Sequence, residues 1–148
     1  MFALLLVLHI FSAVAVIGSA FFVPIIRRSA KTAAQLRFYF DMTTKVAWIS
    51  KIGAALLVIT GIWLMVNAKA GFTQMWLNLS ILLSLVLVVA IGGFIEPLVQ
   101  RIKVASKSQS HELSADIRLA MRKLAPLETT AQLLTLAVTV LMVVKPMF

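Results

Sequence analysis

The sequence contains no cysteine, which excludes disulfides, iron–sulfur clusters, thiolate metal sites and cysteine nucleophiles. Histidine is nearly as scarce, with only His9 and His111. Acidic residues number 5 against 14 lysines and arginines, and no two stand at one depth as a catalytic carboxylate pair. A phosphate-cradling glycine loop and a nucleophile triad are also missing. These gaps remove the common soluble-enzyme chemistries.

What fills the chain instead is apolar residue. Hydrophobic types make up 61% of the 148 residues, enough for one domain and far too oily for a soluble one. The formal charge of +9 would suggest nucleic acid in a soluble protein. Set between long apolar runs, the same charges read as topology signals and contacts to anionic headgroups, and no nucleic-acid partner is expected.

Four stretches, 2–26, 46–66, 75–99 and 127–144, each approach the ~20 apolar residues that cross a bilayer. They end at charge, proline or glycine. The fold expected is an all-α membrane protein, an antiparallel four-transmembrane-helix bundle in one domain. No lysine or arginine precedes the first run, while Arg27, Arg28 and Lys31 follow it. That polarity fits a retained helix better than a cleaved signal peptide.

Charge sets the orientation. Arg27, Arg28, Lys31, Arg37 and Lys45 follow the first stretch, and Arg101, Lys103, Lys107, Arg118, Arg122 and Lys123 follow the third. Only Lys69 and Lys145 fall on the opposite side. The positive-inside rule therefore makes the two longer connections cytoplasmic and puts both termini outside. Within the second long connection, Leu113, Ile117, Met121 and Leu124 recur at helical spacing, with Ser110 as a cap and Glu112 in the first turn. This predicts a short amphipathic cytoplasmic helix lying along the inner leaflet before the fourth span. The alternative is a cytoplasmic extension of the fourth helix with Pro126 at the joint. The segment 32–39 has a weaker pattern of the same kind.

Small residues mark the packing faces: Gly53 and Gly61 in the second stretch, Ser80, Ser84, Gly92 and Gly93 in the third, and Ala131, Thr135 and Thr139 in the fourth. Membrane helices associate through such close approaches. On the first stretch Ser12, Ala13, Val16, Ser19 and Ala20 share a low-bulk side with His9, a face open to a flat cofactor or to a neighbouring helix.

His9 is the candidate functional residue, because an ionisable group inside an apolar span is costly. It lies roughly 10 Å below the outer end of its helix. Thr60, Ser84, Thr139 and Met142 fall near that level, and no second histidine does. One chain cannot supply two histidines to a haem there, so Met142, a solvent ligand, an open position or a histidine from another copy would have to serve on the other side. A structural histidine bonded to Thr60, Ser84 or Thr139 is the competing reading. At the inner end Lys51, Glu96 and Glu128 form a second polar set, in which Lys51 is expected to pair with a carboxylate. Met65, Met75, Met142 and Met147 near the outer face, with the intramembrane acids, offer a copper-handling or transport alternative.

Several short signals carry a family resemblance: Leu8-His9-Ile10 followed by Gly18, then Thr60-Gly61-Ile62-Trp63-Leu64, Trp76, Glu128 and the ending Val143-Val144-Lys145-Pro146. The chain resembles the small bacterial four-helix membrane proteins related to J-type protoporphyrinogen oxidases and to the membrane domain of copper-resistance D proteins. It is most similar to an uncharacterised branch of that group. The resemblance implies haem b on His9, an oxidoreductase of the protoporphyrinogen oxidase type, electron flow towards quinone, and the bacterial inner membrane. Lys145 would neutralise a haem propionate. The lysine that such oxidases carry after the tryptophan is replaced by Leu77-Asn78-Leu79, and their third-helix histidine is missing. A non-catalytic accessory subunit or homo-oligomer therefore stands beside the haem reading.

Overall fold

The computed structural model describes residues 2–67, 74–108 and 112–145. The described residues form helix only: α1 (Phe2–Arg28), α2 (Ala33–Asn67), α3 (Met75–Ala90), a π-helical segment (Ile91–Ile95), α4 (Glu96–Lys107) and α5 (Ala115–Val144). α3, the π segment and α4 run on as a single rod, so four helices are long and apolar enough to cross a membrane.

The rods outrun the bilayer. α2 has 35 residues and therefore spans about 50 Å, against a hydrocarbon core of ~30 Å. The first long connection shrinks accordingly. The segment 32–39, expected on the membrane surface, is the start of α2, with only 29–32 turning between helices. The amphipathic segment before the fourth span is corrected in the same way. It is helical, but it forms the first turns of α5, which continues unbroken through Pro126. Ser114 caps it, accepting from the Ile117 amide, while Ser110 lies outside the described residues. The reason is packing. Leu113, Ile117 and Leu124 are buried in a protein core and do not lie on lipid.

That core sits at the inner end, where Ala33, Leu36, Tyr39 and Phe40 of α2 meet Ile102 of α4 and the apolar stripe of α5. Tyr39 and Phe40 stack edge to face, ring centres 5.0 Å apart. Above it the bundle divides. α1 packs along α2 and α3 packs along α5, and among the described residues no close backbone approach joins α2 to α3. Most of the remaining surface of the spans is apolar and faces outwards, as a lipid-facing surface requires, with Lys51 an exception.

The π segment has a local cause. Pro97 has no amide hydrogen to donate, and the preceding Glu96 amide reaches back five residues to the Ile91 carbonyl. Gly92 and Gly93 lie inside this bulge with open space around them.

Candidate functional site

In hydrocarbon a hydroxyl must bond to something, and here the helices' own carbonyls serve. Ser12 donates to Leu8 O, Ser80 to Trp76 O, Thr135 to Ala131 O and Thr139 to Thr135 O. Such back-bonding uses the single hydroxyl proton and leaves only lone pairs to offer elsewhere. Thr60 is the one of these hydroxyls that meets His9. Its Oγ1 lies 2.6 Å from Leu56 O and 2.9 Å from His9 Nδ1.

The direction of the His9 bond follows. Thr60 donates its proton to the Leu56 carbonyl, so it accepts from the imidazole, and Nδ1 carries the ring proton. Nε2 is then the bare nitrogen. Gly61 gives the ring its room: a Cβ there would stand 3.3 Å from His9 Cε1. Thr60 and Gly61 therefore work as a unit, one holding the imidazole and the other making space for it.

The low-bulk side of α1 is taken up by α2. A Cβ on Gly53 would meet Ala15 Cβ at 3.4 Å and Ser12 O at 3.5 Å, and Ser19 Oγ lies 2.8 Å from Ser50 Oγ. A neighbouring helix, and not a flat cofactor, occupies that face. Neither Met142 nor Lys145 shares a hydrogen bond or ion pair with His9 among the described residues. Met142 is half-buried on α5, and the Lys145 ammonium lies 5.8 Å from the centre of the Trp76 ring, a cation–π contact joining the outer ends of α3 and α5. No three histidine, aspartate or glutamate side chains converge as a metal site among the described residues. Of the outer methionines, Met75 is exposed, and Met147 falls outside the described residues, as does His111.

At the inner end the structure replaces the expected partner. Lys51 is exposed and pairs with no carboxylate among the described residues. It stands too far towards the outer end, because its neighbour Ser50 faces Ser19, two turns above Arg27. Glu96 is exposed as well and accepts from Gln100 Nε2 at 2.9 Å. Glu128 is paired instead with Arg27, both buried, and Arg28 adds a contact of 3.3 Å to the other carboxylate oxygen. Arg28 also donates to the Ala125 carbonyl at 2.9 Å. The Tyr39 phenol lies in the field of both Arg27 and Glu128. Arg27 Nε is buried without a hydrogen-bond partner. Sequence reading took Arg27 and Arg28 for topology charges. The available signal was their place one turn after Pro24, at the depth of the only acid in the fourth span.

Residues 3–146 match the family described as predicted integral membrane protein (DUF2269). The chain belongs to that family. It is therefore an integral membrane protein with four membrane-spanning helices, and the match covers both His9 and the Arg27–Glu128 pair. No curated protein matches the chain, and no solved structure does.

Proposed function

We propose that this membrane protein holds haem b through His9 and takes part in membrane electron transfer, in the bacterial cytoplasmic membrane with both termini outside. One observation carries the reading: Thr60 Oγ1 lies 2.9 Å from His9 Nδ1 while giving its own proton to the Leu56 carbonyl, an arrangement that puts the ring proton on Nδ1 and leaves Nε2 as the donor atom. A ligating histidine characteristically donates its other nitrogen to a fixed acceptor, which sets the tautomer and orients the ring. The donor chemistry of His9 Nε2 would therefore suit haem iron.

When bound, haem supplies one-electron redox chemistry. The chain's own contribution is to present Nε2 and to fix the imidazole against Thr60. Its apolar helix surfaces keep water from the ring. Among the described residues His9 would hold the iron, and any further ligand would come from a second copy or a partner subunit. Protein purified in mild detergent after growth with a haem precursor should show a Soret band that His9→Ala abolishes. A colourless preparation overturns the proposal, as does a His9→Ala variant that keeps its haem.

A second reading, a non-catalytic accessory or oligomeric subunit, draws on a different observation. Two clefts stand out in the fold, both at the inner end, and neither includes His9. Colourless homogeneous material that copurifies with a stable partner would favour it.

A further inference from the structure

The smaller of the two clefts lies between α2 and α4 at the inner end. It has a volume of about 110 Å³ and is lined by Arg37, Phe40, Asp41, Lys103, Ser106 and Lys107. Three of the six side chains are cations and one is a carboxylate, yet no ion pair joins Asp41 to Lys103 or Lys107 among the described residues. The cations are partly positioned already. Arg37 donates to the Ser106 carbonyl at 3.4 Å and Lys103 to Thr44 Oγ1 at 3.3 Å. A lysine ammonium has three donors, so Lys103 has two left, and Lys107 makes no hydrogen bond to the described residues. The cleft thus concentrates positive charge whose hydrogen-bonding capacity is only partly used.

Its level in the molecule selects the ligand. Large apolar side chains point outwards at the same level of the helices: Val104 follows Lys103 on α4 and is 68% exposed, and Phe38 and Met42, next in sequence to Arg37 and Asp41 on α2, are 67% and 58% exposed. Apolar side chains turned outwards at the level of lysines without a carboxylate partner mark the boundary between hydrocarbon and headgroups. An aqueous site for a free anion would not be bordered this way.

We propose that this cleft binds the phosphate group of an anionic membrane phospholipid, with Lys103 and Lys107 as the principal ligands and Arg37 beside them. The acyl chains extend along the exposed Val104 side of α4. Asp41 lowers the local charge and disfavours highly charged phosphates. The site is independent of haem binding and of which end of the bundle faces the cytoplasm.

Native mass spectrometry of the full chain in detergent tests the assignment, with phosphatidylglycerol and phosphatidylcholine as probes. Phosphatidylglycerol should be retained, and each cation removed should weaken retention about fivefold, so that the double variant Lys103→Gln/Lys107→Gln loses more than tenfold. The double variant Arg122→Gln/Lys123→Gln removes the same charge from an exposed stretch of α5 outside the cleft and should retain the lipid. Equal losses in the two variants would overturn the site in favour of diffuse attraction. Equal retention of phosphatidylcholine would overturn charge selection. Displacement of the lipid by millimolar inorganic phosphate would overturn the lipid assignment and leave a soluble-phosphate site.

Discussion

Arg27 of α1 and Glu128 of α5 are separated by 101 residues in sequence and meet as a buried ion pair, their side chains only 2% and 5% exposed. The pair stands where the two helix pairs come together, and Gln132 Nε2 donating to the Ala20 carbonyl at 3.1 Å repeats the link one turn further into the membrane. A buried charge without its counter-ion is costly, whereas replacing both charges by apolar groups can be close to neutral. Glu128→Ala should therefore destabilise the protein by about 3–5 kcal/mol, and Arg27→Met/Glu128→Leu by much less. Thermal unfolding in detergent checks both; equal losses would mean that the pair contributes only packing.

The histidine bond makes a spectroscopic prediction. In protein labelled with nitrogen-15 histidine, the His9 signals should show Nδ1 protonated and Nε2 bare. Thr60→Val removes the acceptor, so the preference should disappear, at a stability cost of about 1 kcal/mol, the usual size of a side-chain hydrogen bond between membrane helices. An unchanged tautomer in that variant would show that Thr60 does not set the proton's position.

Glycines in the same bundle should respond in opposite directions. Gly53 faces Ala15, Ser12 and Val16 on α1, so Gly53→Leu forces the helices apart and should cost about 1–3 kcal/mol. Gly92 faces open space and has no positive φ, so Gly92→Ala should be neutral or stabilise by up to about 1 kcal/mol. Melting temperatures of the two variants decide it. A loss at Gly92 would mean that the π segment needs its glycine to bend.

Topology can be read chemically, since the native chain has no thiol to interfere. A membrane-impermeant maleimide should label Ser108→Cys only from the cytoplasmic side and Val144→Cys only from the outside. The reverse pattern would overturn the charge-derived orientation.

The four spans and their ends were legible to different degrees. Long apolar runs leave the backbone no alternative to helix in a bilayer, so the number of spans follows from composition and run length alone. Span ends were less legible. α2 begins 13 residues before the apolar run it carries, and α5 begins 12 before its own, because Leu36, Tyr39, Ile117 and Leu124 are buried by one another and not by lipid. Hydropathy registers an apolar residue without registering what covers it.

His9 was visible as a polar residue in an apolar span, and Thr60 was among three partners at the right depth. Choosing Thr60 needed the contact of α1 with α2 at Gly61, which no one-dimensional depth assignment contains. The inner cluster was misassigned for a related reason. Lys51 and Glu128 look close when helices are treated as parallel rulers, but Ser50 sits opposite Ser19 and the guanidinium of Arg27 reaches the carboxylate first. The sequence by itself determined that this chain crosses a membrane four times, because burying apolar length is a property of each segment alone. Which charge meets which carboxylate was decided only by the tertiary structure, because that depends on the rotation and stagger of helices whose contacting residues lie far apart in the chain.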